Sequence, residues 1–196
     1  MRTSFRDLCI AGFLVAGGIV TVQPSKALDA RVIAQIKTVQ NGHFTAPDGS
    51  VRRFTDFNSS KVLVIGFWAS WCPNCTHEFA SLKKMQQSLG SENVQIILVG
   101  YPVDWAAEQQ FVRTHAVEFP IYVFAPASDN EVKVAFANQG TLSLPQTIIW
   151  DAERWPKWRQ EGAIDWTTAD AISQIRKILT CPGSPKKYVG LASCGE

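Results

Sequence analysis

The unbroken run Val62-Leu-Val-Ile-Gly-Phe-Trp68, followed after Ala69-Ser-Trp71 by Cys72-Pro-Asn-Cys75, constrains this chain more than any other stretch. The run is rich in β-branched residues and shows no polar alternation, the pattern of a strand buried on both faces. Such a strand needs cover on two sides, which places it inside an α/β sheet. A helix is expected from about Pro73 to Leu89. Proline suits the first helical position, where its missing N–H would have had no partner, and Gly90 provides the stop. The two cysteines therefore fall where a buried strand turns into a helix.

The alternation continues in both directions. Residues 28–40 place Leu28, Val32, Ile33, Ile36 and Val39 at helical spacing. In Phe44 to Val51, Asp48-Gly49 marks a turn between two short strands. Val94 to Val99 reads as a second buried strand. Asp104 is a candidate cap for a helix reaching about His115, with Ala107, Phe111 and Val112 inward. Pro120 to Phe124 is a further strand, and a short helix is expected from Asp129 to Gly140. Pro145 to Trp150 and Trp155 to Gln160 suggest a hairpin around Asp151-Ala-Glu153. Thr167 and Asp170 have the spacing of a capping box for a last helix, Thr168 to about Leu179. Strands alternating with helices, then a closing hairpin and helix, imply an α/β fold: a central mixed β-sheet with helices on both faces.

The ends carry different signals. Arg2 and Arg6 precede an apolar run from Leu8 to Val22, and Ser25-Lys-Ala27 places small residues at a cleavage site, so residues 1–27 read as a signal peptide. That run is shorter than the ~20 residues a spanning helix needs, although an uncleaved membrane anchor stays open. Residues 28–180 form the expected domain and 181–196 a tail. Removing residues 1–27 takes the basic count from 19 to 16 and the acidic count from 17 to 16, a net charge of zero. A neutral chain has no electrostatic footprint for nucleic acid. Hydrophobic residues at 46% suffice for a core without a disulfide framework.

Cys72-Pro-Asn-Cys75 at a helix start has a specific chemical use. Unpaired backbone N–H groups and the helix dipole favour the thiolate of Cys72, whereas Cys75, one turn further in, is more buried and less acidic. Cys72 can then attack a disulfide and Cys75 resolve the mixed disulfide, or the pair can run in reverse and oxidise a dithiol. This chemistry calls for no cofactor. The competing readings are metal sites. Cys181 and Cys194 do not form a second C-x-x-C, which argues against structural zinc. Cys72, Cys75 and His77 could make a copper-binding chaperone, although a polar residue at that helix position is ordinarily solvated.

The run Phe67-Trp-Ala-Ser-Trp-Cys-Pro-Asn-Cys75 resembles the active site of the thioredoxin superfamily, and within it the TlpA/ResA/DsbE-like exported oxidoreductases. Leu144-Pro-Gln-Thr147 is similar to the x-Pro-x-Thr segment of that family, Ile148 to Asp151 to the strand and turn after it, and Gly162 to the glycine after the last strand. The segment from Val99 to Phe119, with Asp104, Phe111 and Phe119-Pro120, resembles an insertion typical of the group. The resemblance covers roughly residues 40–180 and implies a thioredoxin-like fold. It also implies a cis bond between Leu144 and Pro145, in a loop facing Cys72 that offers backbone groups to an extended substrate. Trp71, Pro73, Leu144 and Pro145 are the implied substrate contacts, with Trp71 presenting apolar surface and Trp68 belonging to the core. Two departures stand out. Gly66 occupies the place of a buried aspartate, so the usual proton acceptor for Cys75 is missing. Pro73-Asn74 sets the reduction potential in its own way. Glu78 is the nearest titratable group on the helix, and its expected place is solvated or structural rather than catalytic.

In the tail, two prolines and two glycines lie between Cys181 and Cys194. The simplest reading in an oxidising compartment is a structural disulfide, worth about 3 kcal/mol in the chain-entropy model. The sharper one is a pair exchanging electrons with Cys72–Cys75. The expected function is reduction of disulfides in cysteine-containing exported proteins of the periplasm, with apo-cytochrome c among the clients the family implies. A membrane thiol–disulfide electron donor would keep the pair reduced. A disulfide oxidase or isomerase is the alternative, against which the chain lacks the long helical insertion of DsbA-like oxidases.

Overall fold

The computed structural model describes residues 30–57, 59–101, 105–115, 117–125, 137–138 and 141–180. In chain order these are α1 (Ala30–Asn41), β1 (His43–Thr45), β2 (Val51–Arg53), a 3-10 turn (Phe54–Asp56), β3 (Val62–Trp68), α2 (Pro73–Leu89), β4 (Val94–Gly100) and α3 (Trp105–Thr114). There follow β5 (Ile121–Ala125), β6 (Ala137–Asn138), β7 (Thr141–Leu142), β8 (Gln146–Trp150), β9 (Pro156–Glu161) and α4 (Ala169–Thr180). Seven strands form one mixed sheet in the order β2-β1-β5-β4-β3-β8-β9. β3 runs parallel to β4 and antiparallel to β8, so it sits inside the sheet as its sequence requires.

Strand alternation explains why every residue of β3 is buried. Val62, Val64 and Trp68 join Val94, Ile96, Leu98 and Ile149 in a core covered by Leu82, Met85 and Leu89 of α2 and by Ala171, Ile175 and Ile178 of α4. Leu63, Ile65 and Phe67 point the other way, with Ile97, Val99, Ile148 and Trp150, against Val39 of α1 and Phe54. Each such large side chain is worth roughly 1.5–3 kcal/mol when withdrawn from water. A slip of one residue would exchange the two faces, so the register is strongly held. At Gly66 an added Cβ would come within 3.0 Å of Leu98 Cδ2, so the glycine also permits close packing.

Helix α2 ends at Gly90, whose φ of +86° is costly for a residue with a side chain. The β8–β9 turn is held by polar contacts. Asp151 Oδ1 accepts the Trp155 N–H at 2.7 Å, and Lys157 Nζ lies 3.0 Å from Asp151 Oδ2, with both side chains almost fully buried. Arg154 donates to the carbonyls of Lys61 (2.9 Å) and Phe57 (3.1 Å), tying the turn to the start of β3.

Two expectations are corrected. Residues 137–138 pair antiparallel with 141–142 as β6 and β7, so no helix runs through to Gly140. At α4, Thr167 is not the cap. Its hydroxyl donates to Asp165 at 2.6 Å, and Thr168 Oγ1 instead accepts the Ala171 N–H at 3.3 Å. With Asp165 occupying Thr167, the cap moves one residue on. The expected leader (residues 1–27), the expected Asp104 cap, residues 129–136 and the tail with Cys181 and Cys194 lie outside the described residues. Among the described residues no helix is long and apolar enough to cross a membrane.

Candidate active site

The C-terminal end of β3 delivers Trp68, and the next residues form a tight turn in which Cys72 N–H donates to the Ala69 carbonyl at 3.0 Å. Cys72 is the N-cap of α2, extended at φ −97°, with Pro73 opening the helix. Its partner Cys75 lies one turn in. The two are joined by a disulfide with an S–S distance of 2.10 Å and Cα atoms 5.5 Å apart. Cys72 is 5% exposed and Cys75 0%, in the order their positions on the helix dictate.

Around Cys72 the surface is apolar on one side. Trp71 is 53% exposed, and its ring meets Tyr101 edge-on at 6.5 Å. Pro73 is exposed, whereas Trp68 is fully buried against Phe79 and Phe111. The Leu144–Pro145 bond is cis. Pairing of Phe67 with Gln146 sets Pro145 beside the end of β3 from which the Cys72 turn departs. Leu144 packs half-buried against the core that contains both cysteines. The Pro145 carbonyl accepts the Gly162 N–H at 2.9 Å, so the end of β9 braces this loop.

Glu78 is not solvated. It lies three residues after Cys75, on the same side of α2, and is 3% exposed. Trp166 Nε1 donates to Glu78 Oε1 at 2.5 Å, and Thr147 Oγ1 donates to the same oxygen at 3.4 Å. Burial pushes its pKa from 4.5 up to about 7, and the hydrogen bonds from Trp166 and Thr147 only partly oppose that rise. Thr147 pairs directly with Gly66 across β8 and β3, so both residues face α2. An acid thus occupies the side on which Gly66 carries none. Its position comes from the helix rather than the strand. Glu78 also borders a cavity of about 370 Å³ whose rim carries the exposed His77, Lys84 and Asp165.

His77 is exposed on the rim of that cavity, and among the described residues no group of three His, Cys, Asp or Glu is placed to hold a metal ion. Three residues of this region find partners that only the tertiary structure supplies. Thr147 and Trp166 meet Glu78 across 69 and 88 residues, and Glu108 of α3 reaches the backbone N–H of Ser70 across 38. The apolar face of α3, marked by Phe111 and Val112, was the one available hint that Glu108 points inward.

Residues 38–155 match the model of the AhpC/TSA family. The chain belongs to that family. It is 27% identical over 122 residues to the thioredoxin-like protein YneN of Bacillus subtilis, covering 58% of this chain and 66% of the relative. It is 28% identical over 93 residues to the thiol-disulfide oxidoreductase ResA of Bacillus subtilis, covering 47% and 49%. With the thiol:disulfide interchange protein DsbE of Allochromatium vinosum it shares 26% over 110 residues, or 56% of each chain. The chain therefore spans about half to two-thirds of the length of these relatives. Among solved structures it superimposes on the thioredoxin domain of a thiol-disulfide oxidoreductase from Bacteroides vulgatus with a TM-score of 0.56 at 15% identity, covering 72% of this chain and 95% of the other. For a secreted Mycobacterium tuberculosis disulfide oxidoreductase homologous to DsbE the values are 0.51 and 18%, with 74% and 97% covered. The fold is thioredoxin-like.

Proposed function

We propose that this chain is an exported thiol–disulfide oxidoreductase that reduces disulfides in cysteine-containing proteins of the periplasm. The observation that carries the reading is the Cys72–Cys75 disulfide across the first turn of α2, with Cys72 at the N-cap and Cys75 fully buried. In the reduced protein, the Cys72 thiolate attacks one sulfur of a client disulfide. A mixed disulfide forms, and the other client sulfur leaves as a thiolate that takes up a proton. Cys75 then attacks Cys72 Sγ and releases the second client thiol, so the client gains two electrons and the chain is left oxidised. Before that attack Cys75 must lose its proton. Glu78, poised near neutrality one turn further on, is the group suited to receive it. The adjoining cavity offers that proton a route to solvent while a client covers Cys72.

Trp71 and Pro73 supply apolar contact beside Cys72, and the Leu144–Pro145 loop offers backbone groups to an extended client segment. A membrane dithiol donor completes the cycle by reducing Cys72–Cys75. The names of ResA and DsbE support the chemistry, and the leader-like residues 1–27 support export. Apo-cytochrome c is one client consistent with this reading.

The test is reduction of a protein disulfide by the full chain. Cys72→Ser should abolish turnover and Cys75→Ser should accumulate mixed disulfides. Full activity in Cys72→Ser would overturn the assignment. The reduction potential then fixes direction. A value near −270 mV, about that of thioredoxin, marks a reductant, whereas roughly −120 to −180 mV marks an oxidase or isomerase.

A further inference from the structure

Glu108 is a buried carboxylate that the dithiol mechanism does not use. It lies on α3 one turn before Phe111 and Val112, the residues that pack that helix on the core. It is 1% exposed. Burying a carboxylate is costly unless hydrogen bonds offset its lost hydration, and an apolar residue would serve the packing equally well. What the carboxylate adds is specific: Oε1 accepts the Ser70 N–H at 3.1 Å.

Ser70 is the second residue of the turn that ends at Cys72. Among the described residues, three hydrogen bonds hold that turn. Tyr101 N–H donates to the Trp68 carbonyl at 2.8 Å, Glu108 takes the Ser70 N–H, and Cys72 N–H closes on the Ala69 carbonyl at 3.0 Å. The next bond, Cys75 N–H to the Cys72 carbonyl at 3.1 Å, already belongs to the start of α2. Glu108 reaches this turn from α3. It lies over Gly100 of β4, where an added Cβ would make only ordinary contacts, 3.9 Å to Glu108 Cγ and 3.8 Å to Trp68 Nε1. The indole of Trp68, tilted against Phe111 at 5.2 Å, forms the wall beside it.

We propose that Glu108 is a positioning residue that fixes the Ala69–Cys72 turn through the Ser70 amide and so holds Cys72 at the N-cap of α2. The thiolate at that position is stabilised only while its sulfur stays aligned with the unpaired N–H groups of the first helical turn. Without the acceptor, the part-buried Ser70 N–H loses its partner, and the turn shifts to find another. Cys72 then ionises less readily. The proposal rests on Cys72 being the nucleophile, and its test reads Cys72 directly, without a client. Failure of client reduction and failure of this proposal are therefore distinguishable.

The experiment measures alkylation of Cys72 by iodoacetamide in the reduced full chain, followed by peptide mass across pH 5–9, in Glu108→Ala and Glu108→Gln. Both substitutions remove the carboxyl group, and only glutamine keeps an acceptor at the Oε1 position, so their contrast isolates the hydrogen bond. In natively folded protein, alkylation at pH 6 should be at least threefold slower in Glu108→Ala than in Glu108→Gln. Equal rates, or a faster Glu108→Ala, would overturn the proposal. A residue important only for stability would lower the melting temperature without separating these two rates. If Glu108→Ala does not fold, Glu108→Asp replaces it and is compared with the unsubstituted chain. Aspartate keeps the carboxyl group and withdraws the acceptor by one methylene. A threefold slower reaction supports the proposal, and an unchanged one refutes it.

Discussion

Replacing Glu78 by glutamine should remove a pH dependence of stability that the buried carboxyl imposes. An unfolded chain releases this proton near pH 4.5, and the native site holds it until about pH 7. Between those values the folded protein binds more protons than the unfolded chain, so stability falls as pH rises. The slope is about 1.4 kcal/mol per pH unit where only the native state is protonated, and it vanishes once both states are ionised. From pH 5 to pH 8 the loss comes to about 2.5 kcal/mol. Asp48, Asp56 and Asp165 are held below the ordinary carboxylate range by hydrogen bonds, so they add no slope above pH 5. The oxidised protein is the right sample, because its disulfide-bonded Cys72 and Cys75 do not titrate. Glutamine retains an acceptor for Trp166 and Thr147, and every other titratable group is common to both proteins. Urea unfolding at half-unit steps should therefore show the difference between the two proteins changing by about 2.5 kcal/mol, with Glu78→Gln gaining relative stability as pH rises. Parallel profiles would mean that Glu78 ionises in the native protein as it does in the unfolded chain. That would refute both the raised pKa and its use as a proton acceptor near neutrality.

Trp166 and Asp151 each give a further test. Trp166→Phe keeps the aromatic packing but removes the N–H that favours the ionised carboxylate, so the midpoint of the Glu78 transition should move above pH 7. An unmoved or lowered midpoint would remove Trp166 from the control of this acid. Asp151→Ala strands the almost buried Lys157 ammonium and the Trp155 N–H, and should cost roughly 3–5 kcal/mol in urea unfolding. A loss under about 1 kcal/mol would mean that the turn readily admits water.

What could be read in advance had local causes. Val62 to Trp68 form β3 with the expected limits because a double-sided apolar run has no other stable place. Pro73 and Gly90 bound α2 because each restricts or frees the backbone whatever surrounds it. The cysteine pair needed only the helix repeat to divide into an outer and an inner sulfur. Errors arose where local signals competed. Thr167 and Thr168 both suit a cap, and the hydrogen bond from Thr167 to Asp165 decides between them. The β6–β7 pairing depends on partners that a helical reading of 129–140 does not supply.

The sequence by itself determined the alternation of elements and the sulfur chemistry, because hydrophobic period, backbone restriction and a three-residue spacing act within a few residues. Only the tertiary structure decided the acid–base character of the site. Glu78 and Glu108 are charged residues on helices, and in isolation each would be hydrated with an ordinary carboxylate's properties. Folding brings Trp166 and Thr147 to Glu78, and brings Glu108 to Ser70, across 38 to 88 residues of chain. The raised pKa of Glu78 reflects the loss of water around it, which is set by packing rather than by neighbours along the chain.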